Sequence, residues 1–132
     1  MQFLLDTNVV IALLKSDLRV WERVRHYKVR DIAISSVTLY ELFYGSYSSE
    51  RVEHNLQKLE KIPFEVLDFD IEDARCAGET RAVLEEAGKP IGPYDLMIAG
   101  QAKARKLTVI TANVKEFRRV QGLRVENWET ET

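Results

Sequence analysis

Leu4-Leu5-Asp6-Thr7-Asn8-Val9-Val10-Ile11 plants one acid inside an otherwise apolar opening. Residues 3–5 read as a short buried strand and residues 9–14 as an apolar helix, so Asp6 falls where one gives way to the other. In an open α/β sheet, ligands bind in the crevice at the carboxyl ends of the strands. A carboxylate placed there and left unpaired would cost several kcal/mol. Asp6 therefore either caps the helix that follows or has a cationic partner.

The rest of the chain repeats the pattern. Residues 15–31 are charged, with Val20, Trp21 and Val24 spaced as one helical face; residues 32–34 form a second apolar strand. Ser35 or Ser36 can cap the next helix, which carries Tyr40, Glu41, Leu42, Phe43 and Tyr44 and which Gly45 is expected to end or bend. Residues 50–62 repeat Val52, Leu56 and Leu59 at helical spacing up to Pro63, so that the two helices make an αα-hairpin turning at residues 47–49. A third strand is expected at 64–69, and Asp68 or Asp70 can cap a helix over residues 71–87. The turn-rich stretch 88–93 reads as a loop inside one domain, and Pro93 suits the first turn of a helix. In that helix Asp95, Ile98, Ala99 and Ala102 share a face. Residues 107–111 give a fourth strand, and residues 123–125 a last edge strand.

Short apolar strands alternating with helices predict an α/β protein: a three-layer α/β/α sandwich around a central parallel sheet, built as one domain over residues 1–132. Right-handed crossovers place all strand C-terminal ends on one edge. Asp6, Glu41, Asn113 and Glu116 each follow a strand, and Asp95 opens a helix after a loop. The topology thus brings them toward one crevice.

Composition sets the surroundings. The net charge of −2 does not single out a nucleic-acid binder, although committing four acids to a metal would leave a mildly basic remainder. Cys76 is the lone cysteine, which excludes an internal disulfide and suits a reducing compartment. No apolar run approaches the roughly 20 residues that span a bilayer, and Asp6 interrupts the opening too early for a signal peptide. The expectation is a cytoplasmic protein with no membrane partner.

Three carboxylates about 5 Å apart repel one another by on the order of 3 kcal/mol per pair at an effective dielectric near 20. Raised pKa values, interleaved Lys or Arg, or a divalent cation relieve this. No Lys or Arg shares the apolar runs around Asp6, Glu41 or Asp95, and an all-oxygen set favours Mg²⁺ or Mn²⁺ over zinc. Each acid also has a plainer explanation. Asp6 can be a helix cap, Asp95 can complement a helix dipole, and a single Glu41 can snorkel to solvent. Their joint placement at one sheet edge is what favours the metal. His26 and His54 lie in polar helical stretches and read as surface residues.

Four blocks carry a family resemblance: residues 5–8, residues 35–45, residues 92–100 and residues 111–117. In order and spacing they resemble the PIN-domain family, and the closing residues 120–128 resemble its VapC-type toxins from bacterial toxin–antitoxin modules. The resemblance covers essentially the whole chain. It implies a Mg²⁺- or Mn²⁺-dependent endoribonuclease with Asp6, Glu41 and Asp95 as acidic metal ligands. Many relatives carry a further Asp where this chain has Asn113, and Glu116 is a candidate fourth catalytic carboxylate. Thr7, Asn8, Ser36 and Asn113 would support the ligands by hydrogen bonding. Such a site would activate water for in-line attack on a phosphodiester, leaving a 3′-hydroxyl and a 5′-phosphate.

The same resemblance implies an RNA substrate, with initiator tRNA cut in the anticodon stem-loop as the specific expectation. It also implies a homodimer blocked by a cognate VapB-type antitoxin, in a heterotetramer or larger assembly, the antitoxin placing an Arg among the acids. Lys89, Arg118 and Arg119, with Lys103 and Arg124, are candidate phosphate contacts. Tyr40, Phe43, Tyr44 and Tyr47 are a candidate antitoxin groove, because the next helix can bury only part of that stripe. An aspartyl-nucleophile phosphatase needs a second Asp where Asn8 stands, and a receiver domain needs a Lys near residues 111–113. The remaining alternative is a catalytically weak or inactive PIN-like domain that binds RNA or protein, for which Asn113 is the best argument.

Overall fold

Asp6 sits at the middle of the sheet because the strand before it is the central one. In the computed structural model, which describes residues 1–129, β1 (Phe3–Leu5), β2 (Ile32–Ser35), β3 (Glu65–Leu67), β4 (Thr108–Ile110) and β5 (Val125–Glu126) form one sheet in the order β3-β2-β1-β4-β5. Every pairing is parallel, with Leu5 level with Ile34 on one side and Ile110 on the other. The last three residues of the expected 1–132 domain lie outside the described residues.

Among the described residues seven α-helices cover the two faces: α1 (Thr7–Leu14), α2 (Leu18–Val24), α3 (Ser36–Tyr47), α4 (Val52–Glu60), α5 (Ile71–Glu86), α6 (Pro93–Arg105) and α7 (Val114–Phe117). Successive strand residues point to opposite faces. Phe3, Leu5, Ile32, Ile34 and Ile110 pack against Val9, Val10, Leu13, Val20 and Leu42 of α1 to α3. Leu4, Ala33 and Val109 pack against Leu84, Ile98, Ala99, Ala102 and Phe117 of α5 to α7. Because both faces are covered, the strands read as unbroken apolar runs. The result is the expected α/β/α sandwich.

Local chemistry sets the element ends. Ser35 caps α3 by accepting the Val37 amide, and Asp70 and Asp73 form a reciprocal capping box at the start of α5. Pro93 occupies the first turn of α6. Two expectations need correction. Gly45 neither ends nor bends α3, which runs on to Tyr47; the glycine lies on the exposed side, and buried Ser46 keeps the last turn docked. The last strand is Val125–Glu126, not residues 123–125, because Leu123 is still in the turn that follows Val120. Trp128 is fully buried beyond it, its ring stacked 5.4 Å from Tyr27 and edge-on to Phe3. No helix among the described residues is long and apolar enough to cross a membrane.

Candidate active site

The strand order reverses between β1 and β4, and that switch point is where an open parallel sheet forms its crevice. Asp6 follows β1 there and Thr111 follows β4. The Asp6 amide donates to the Ile110 carbonyl at 2.9 Å, while its own carbonyl starts the α1 ladder by accepting from Val9 and Val10. The backbone of Asp6 is therefore held by both neighbouring elements. Its side chain, only 2 % exposed, makes no capping hydrogen bond to α1. It accepts instead from the Thr111 hydroxyl at 2.7 Å. Asp6 occupies the helix-cap position, where the Thr7 and Asn8 amides face its carboxylate, but its well-formed side-chain hydrogen bond is to Thr111 across the sheet.

Glu41 is brought in by α3. The Thr7 hydroxyl lies 2.7 Å from Glu41 Oε1 and 3.1 Å from Thr38 Oγ1. With one hydrogen to give, Thr7 donates it to the carboxylate and accepts from Thr38. Asp95 lies in the first turn of α6. Glu116, on α7, accepts from the Asn113 side-chain amide at 2.9 Å, and the Asn113 backbone amide donates to Thr111 Oγ1 at 2.9 Å. Four acids from four elements thus line one end of the sheet.

Their electrostatics show how near they are. Burial pushes the Asp95 carboxyl up, and the charges of Asp6, Glu116 and Glu41 push it further, to about 6, against a lowering contribution from the Asn113 amide. Burial also raises Asp6, with Glu41 adding to it; the Thr111 hydroxyl and the amides of Thr7 and Asn8 oppose the rise. None of the ion pairs among the described residues includes any of these four acids. As the side chains lie, no three metal-ligating groups among the described residues converge tightly enough to enclose an ion. They are near enough to perturb one another, yet each is turned toward a neutral hydrogen-bond donor. An all-oxygen, uncompensated set of this kind fits a hard divalent cation.

The other candidates separate. Asn8 is exposed beside Asp6. Ser36 does not support the acids: the cap position belongs to Ser35, and Ser36 accepts the Phe69 amide at 3.1 Å, tying α3 to the end of β3. Arg119 donates to the Pro90 carbonyl and Arg124 to the Lys106 carbonyl, so both guanidiniums hold loops. Lys89 and Arg118 are exposed, as are His26 and His54. The aromatic stripe of α3 is open to solvent and faces two ways. Phe43 and Tyr47 line a groove of about 330 Å³ with Leu39, Leu56, Leu59 and Phe64, whereas Tyr40, Tyr44 and Tyr94 line a separate concavity with Glu41. Sequence reasoning missed Thr111 and Thr38. The available signal was a hydroxyl directly after an apolar strand and another one helical turn before Glu41.

A five-stranded parallel sheet with uncompensated acids at its switch point defines an α/β protein whose crevice suits a divalent cation. A family model for the PIN domain matches residues 3–123. The chain is 42 % identical over 130 residues to the tRNA(fMet)-specific endonuclease VapC of Shigella flexneri, covering 97 % of this chain and 98 % of that one. It superposes on a chain of a DNA-bound VapBC crystal structure from Salmonella typhimurium with a TM-score of 0.92 and 44 % identity, covering 97 % and 98 % of the two chains. A DNA-bound VapBC2 structure from Rickettsia felis gives a TM-score of 0.91 at 36 % identity, covering 97 % and 99 %. The chain belongs to the PIN-domain family, in its VapC branch.

Proposed function

We propose that this chain, acting as one domain, is an endoribonuclease toxin dependent on Mg²⁺ or Mn²⁺. The observation that carries the reading is the uncompensated cluster at the sheet switch point, with Asp95 raised to about 6 by burial and by Asp6, Glu116 and Glu41. Asp6, Glu41 and Asp95 would hold the cation, and Glu116 is the fourth carboxylate within reach. A bound divalent ion supplies charge neutralisation at the scissile phosphate and a more acidic water. The chain's own residues do the positioning. Thr111 fixes the Asp6 carboxylate, Thr7 fixes Glu41, and Asn113 orients Glu116. The products would be a 3′-hydroxyl and a 5′-phosphate.

The relative from Shigella flexneri is named for tRNA(fMet), which supports initiator tRNA as the substrate; the anticodon stem-loop as the place of cleavage is carried by the family resemblance alone. The solved relatives are VapBC complexes, which supports a cognate VapB-type antitoxin as partner; a homodimer of this chain inside a heterotetramer or larger assembly is what the family resemblance adds. The groove of Phe43 and Tyr47 offers an apolar helix a seat. Lys89 and Arg118 remain available for phosphate contacts, and the reading places the protein in the cytoplasm.

Purified chain should cleave initiator tRNA with Mg²⁺ or Mn²⁺, stop cleaving in EDTA, and lose at least 10²-fold in kcat as Asp6→Asn or Glu41→Gln. Cleavage that survives EDTA, or an Asp6→Asn variant as fast as wild type, would sink the proposal. A neutral residue at Asn113 favours one second reading, a weak or inactive PIN-like binding domain. Saturable RNA binding with no metal-dependent cleavage would select that one.

A further inference from the structure

The aromatic stripe of α3 divides at the acids, and the half nearer them continues onto a second element. Tyr40 immediately precedes Glu41 on α3, and Tyr94 immediately precedes Asp95 on α6. Their ring centroids are 5.6 Å apart with planes tilted by 47°, and their hydroxyls meet at 3.4 Å. Tyr40 is 55 % exposed, Tyr44 69 % and Tyr94 40 %, so none of the three is a core side chain. Together with Glu41 they line a concavity of about 300 Å³.

We propose that Tyr40 and Tyr94, flanked by Tyr44, form a stacking platform for an unpaired nucleobase of the RNA next to the scissile phosphate. This rests on the ribonuclease reading above. A cluster of uncompensated acids repels a sugar–phosphate backbone, so affinity there must include a contribution that does not depend on charge. Base–aromatic stacking is such a contribution and tolerates any base. The tyrosine pair is already joined across α3 and α6, so little side-chain freedom is lost when a base lands on it. The chemistry of the concavity also favours a base over an apolar helix. Glu41 lines it beside the rings, and an apolar side chain seated there would shield that carboxylate from water with Thr7 as its one donor among the described residues, whereas the amino edges of nucleobases can donate to it. Because Glu41 lines the same concavity as the rings, a phosphate held at the acids brings a flanking base toward them. The separate groove of Phe43 and Tyr47, lined by leucines and Phe64, has the opposite character. The device therefore selects single-stranded or looped RNA over duplex, whose bases are already stacked.

The test uses the full chain and a short synthetic RNA without self-complementarity, alongside its duplex and a set in which an abasic nucleotide is walked along the strand. Binding is read by fluorescence anisotropy in EDTA, and cleavage by KM and kcat in Mg²⁺. Tyr40→Ala and Tyr94→Ala should each weaken single-strand binding about tenfold and raise KM more than they lower kcat. Duplex binding should stay unchanged. Tyr40→Phe and Tyr94→Phe should restore the wild-type values, because stacking needs the ring and not the hydroxyl. One abasic position should reproduce the loss and abolish any further effect of Tyr40→Ala. Alanine variants that bind and cleave every RNA like wild type would overturn the platform, even if they weakened capture of a protein partner. Failure of every variant, wild type included, to cleave would instead overturn the ribonuclease reading, and the anisotropy would still decide the platform.

Discussion

At the scale of single residues, the site depends on neutral donors holding charges that repel one another. Thr111 is the clearest case: its hydroxyl, 2.7 Å from Asp6 Oδ2, lowers the carboxyl pKa against burial. Thr111→Val should weaken Mn²⁺ binding roughly 10- to 100-fold, as loss of a ligand-orienting contact does, measured by isothermal titration, while the fold survives. Asn113 supplies the complementary test. Its amide donates to Glu116 and eases the charge on Asp95, where an Asp would add a further negative group. Asn113→Asp should therefore tighten Mn²⁺ binding and lower the melting temperature in EDTA at pH 7.5; a variant unchanged in both would remove Asn113 from the site. Asp6 shows what a sequence position leaves open. Cap and ligand are equally natural for an Asp before a helix, and only the direction of its carboxylate separates them.

At the scale of elements, α5 and α6 hold Asp95 in place, and they meet without room to spare. A Cβ on Gly100 would lie 2.6 Å from the Ala77 backbone. Gly100→Ala must push the helices apart and should destabilise by about 3 kcal/mol, read from urea unfolding. Beside this contact the fully buried Gln101 donates to Asp73, and Arg105 bridges Asp73, Asp70 and the Asp68 carbonyl. Burial raises the Asp73 carboxyl, but Arg105, the Asp70 amide and Gln101 outweigh it and hold it below the usual carboxylate range. A depressed folded pKa contributes stability above the unfolded value, and that stability is lost as pH falls through the folded value. Arg105→Met should cost about 3 kcal/mol at pH 7 by leaving Asp73 buried without its cation. It should also flatten the acid limb of the unfolding profile below pH about 4.

At the scale of the whole molecule, the acid cluster sets the protein's response to pH and metal. Asp95 shifts in the opposite sense to Asp73, from 3.8 to about 6. Folding then disfavours its charged form, so the metal-free protein should lose stability as pH rises from about 4 to 6 and stay at the lower level above that range. Asp95 is only partly buried, and with solvent screening the loss is on the order of 2 kcal/mol. Melting in EDTA should occur at a lower temperature at pH 7.5 than at pH 4.5. Millimolar Mg²⁺ should recover most of the difference at pH 7.5 by mass action on the folded state. A melting temperature insensitive to both would show that the four acids do not share a charge-coupled site.

Fold class and element order were legible because short strands buried on both faces must be apolar throughout, and parallel strands need crossover helices between them. Asp6 was legible for the same reason, since a carboxylate directly after such a strand stands out, and Glu41 and Asp95 stood out as acids among apolar helix neighbours. The sequence by itself thus determined a parallel α/β sandwich with Asp6, Glu41 and Asp95 gathered at one sheet edge. Gly45 and Ser36 were misread because a helix end and a hydroxyl's partner depend on what packs nearby: Ser46 docks beyond the glycine, and Phe69 arrives from the segment after β3. Thr38 and Thr111 were missed because a hydroxyl acquires its role only from the partner that reaches it, Thr7 in the first case and the Asp6 carboxylate in the second. The tyrosine stripe divided for a related reason, as α6 carries Tyr94 to Tyr40 while α4 builds a leucine-lined wall beside Phe43 and Tyr47. Those contacts join residues far apart in the chain, and tertiary structure alone decides them.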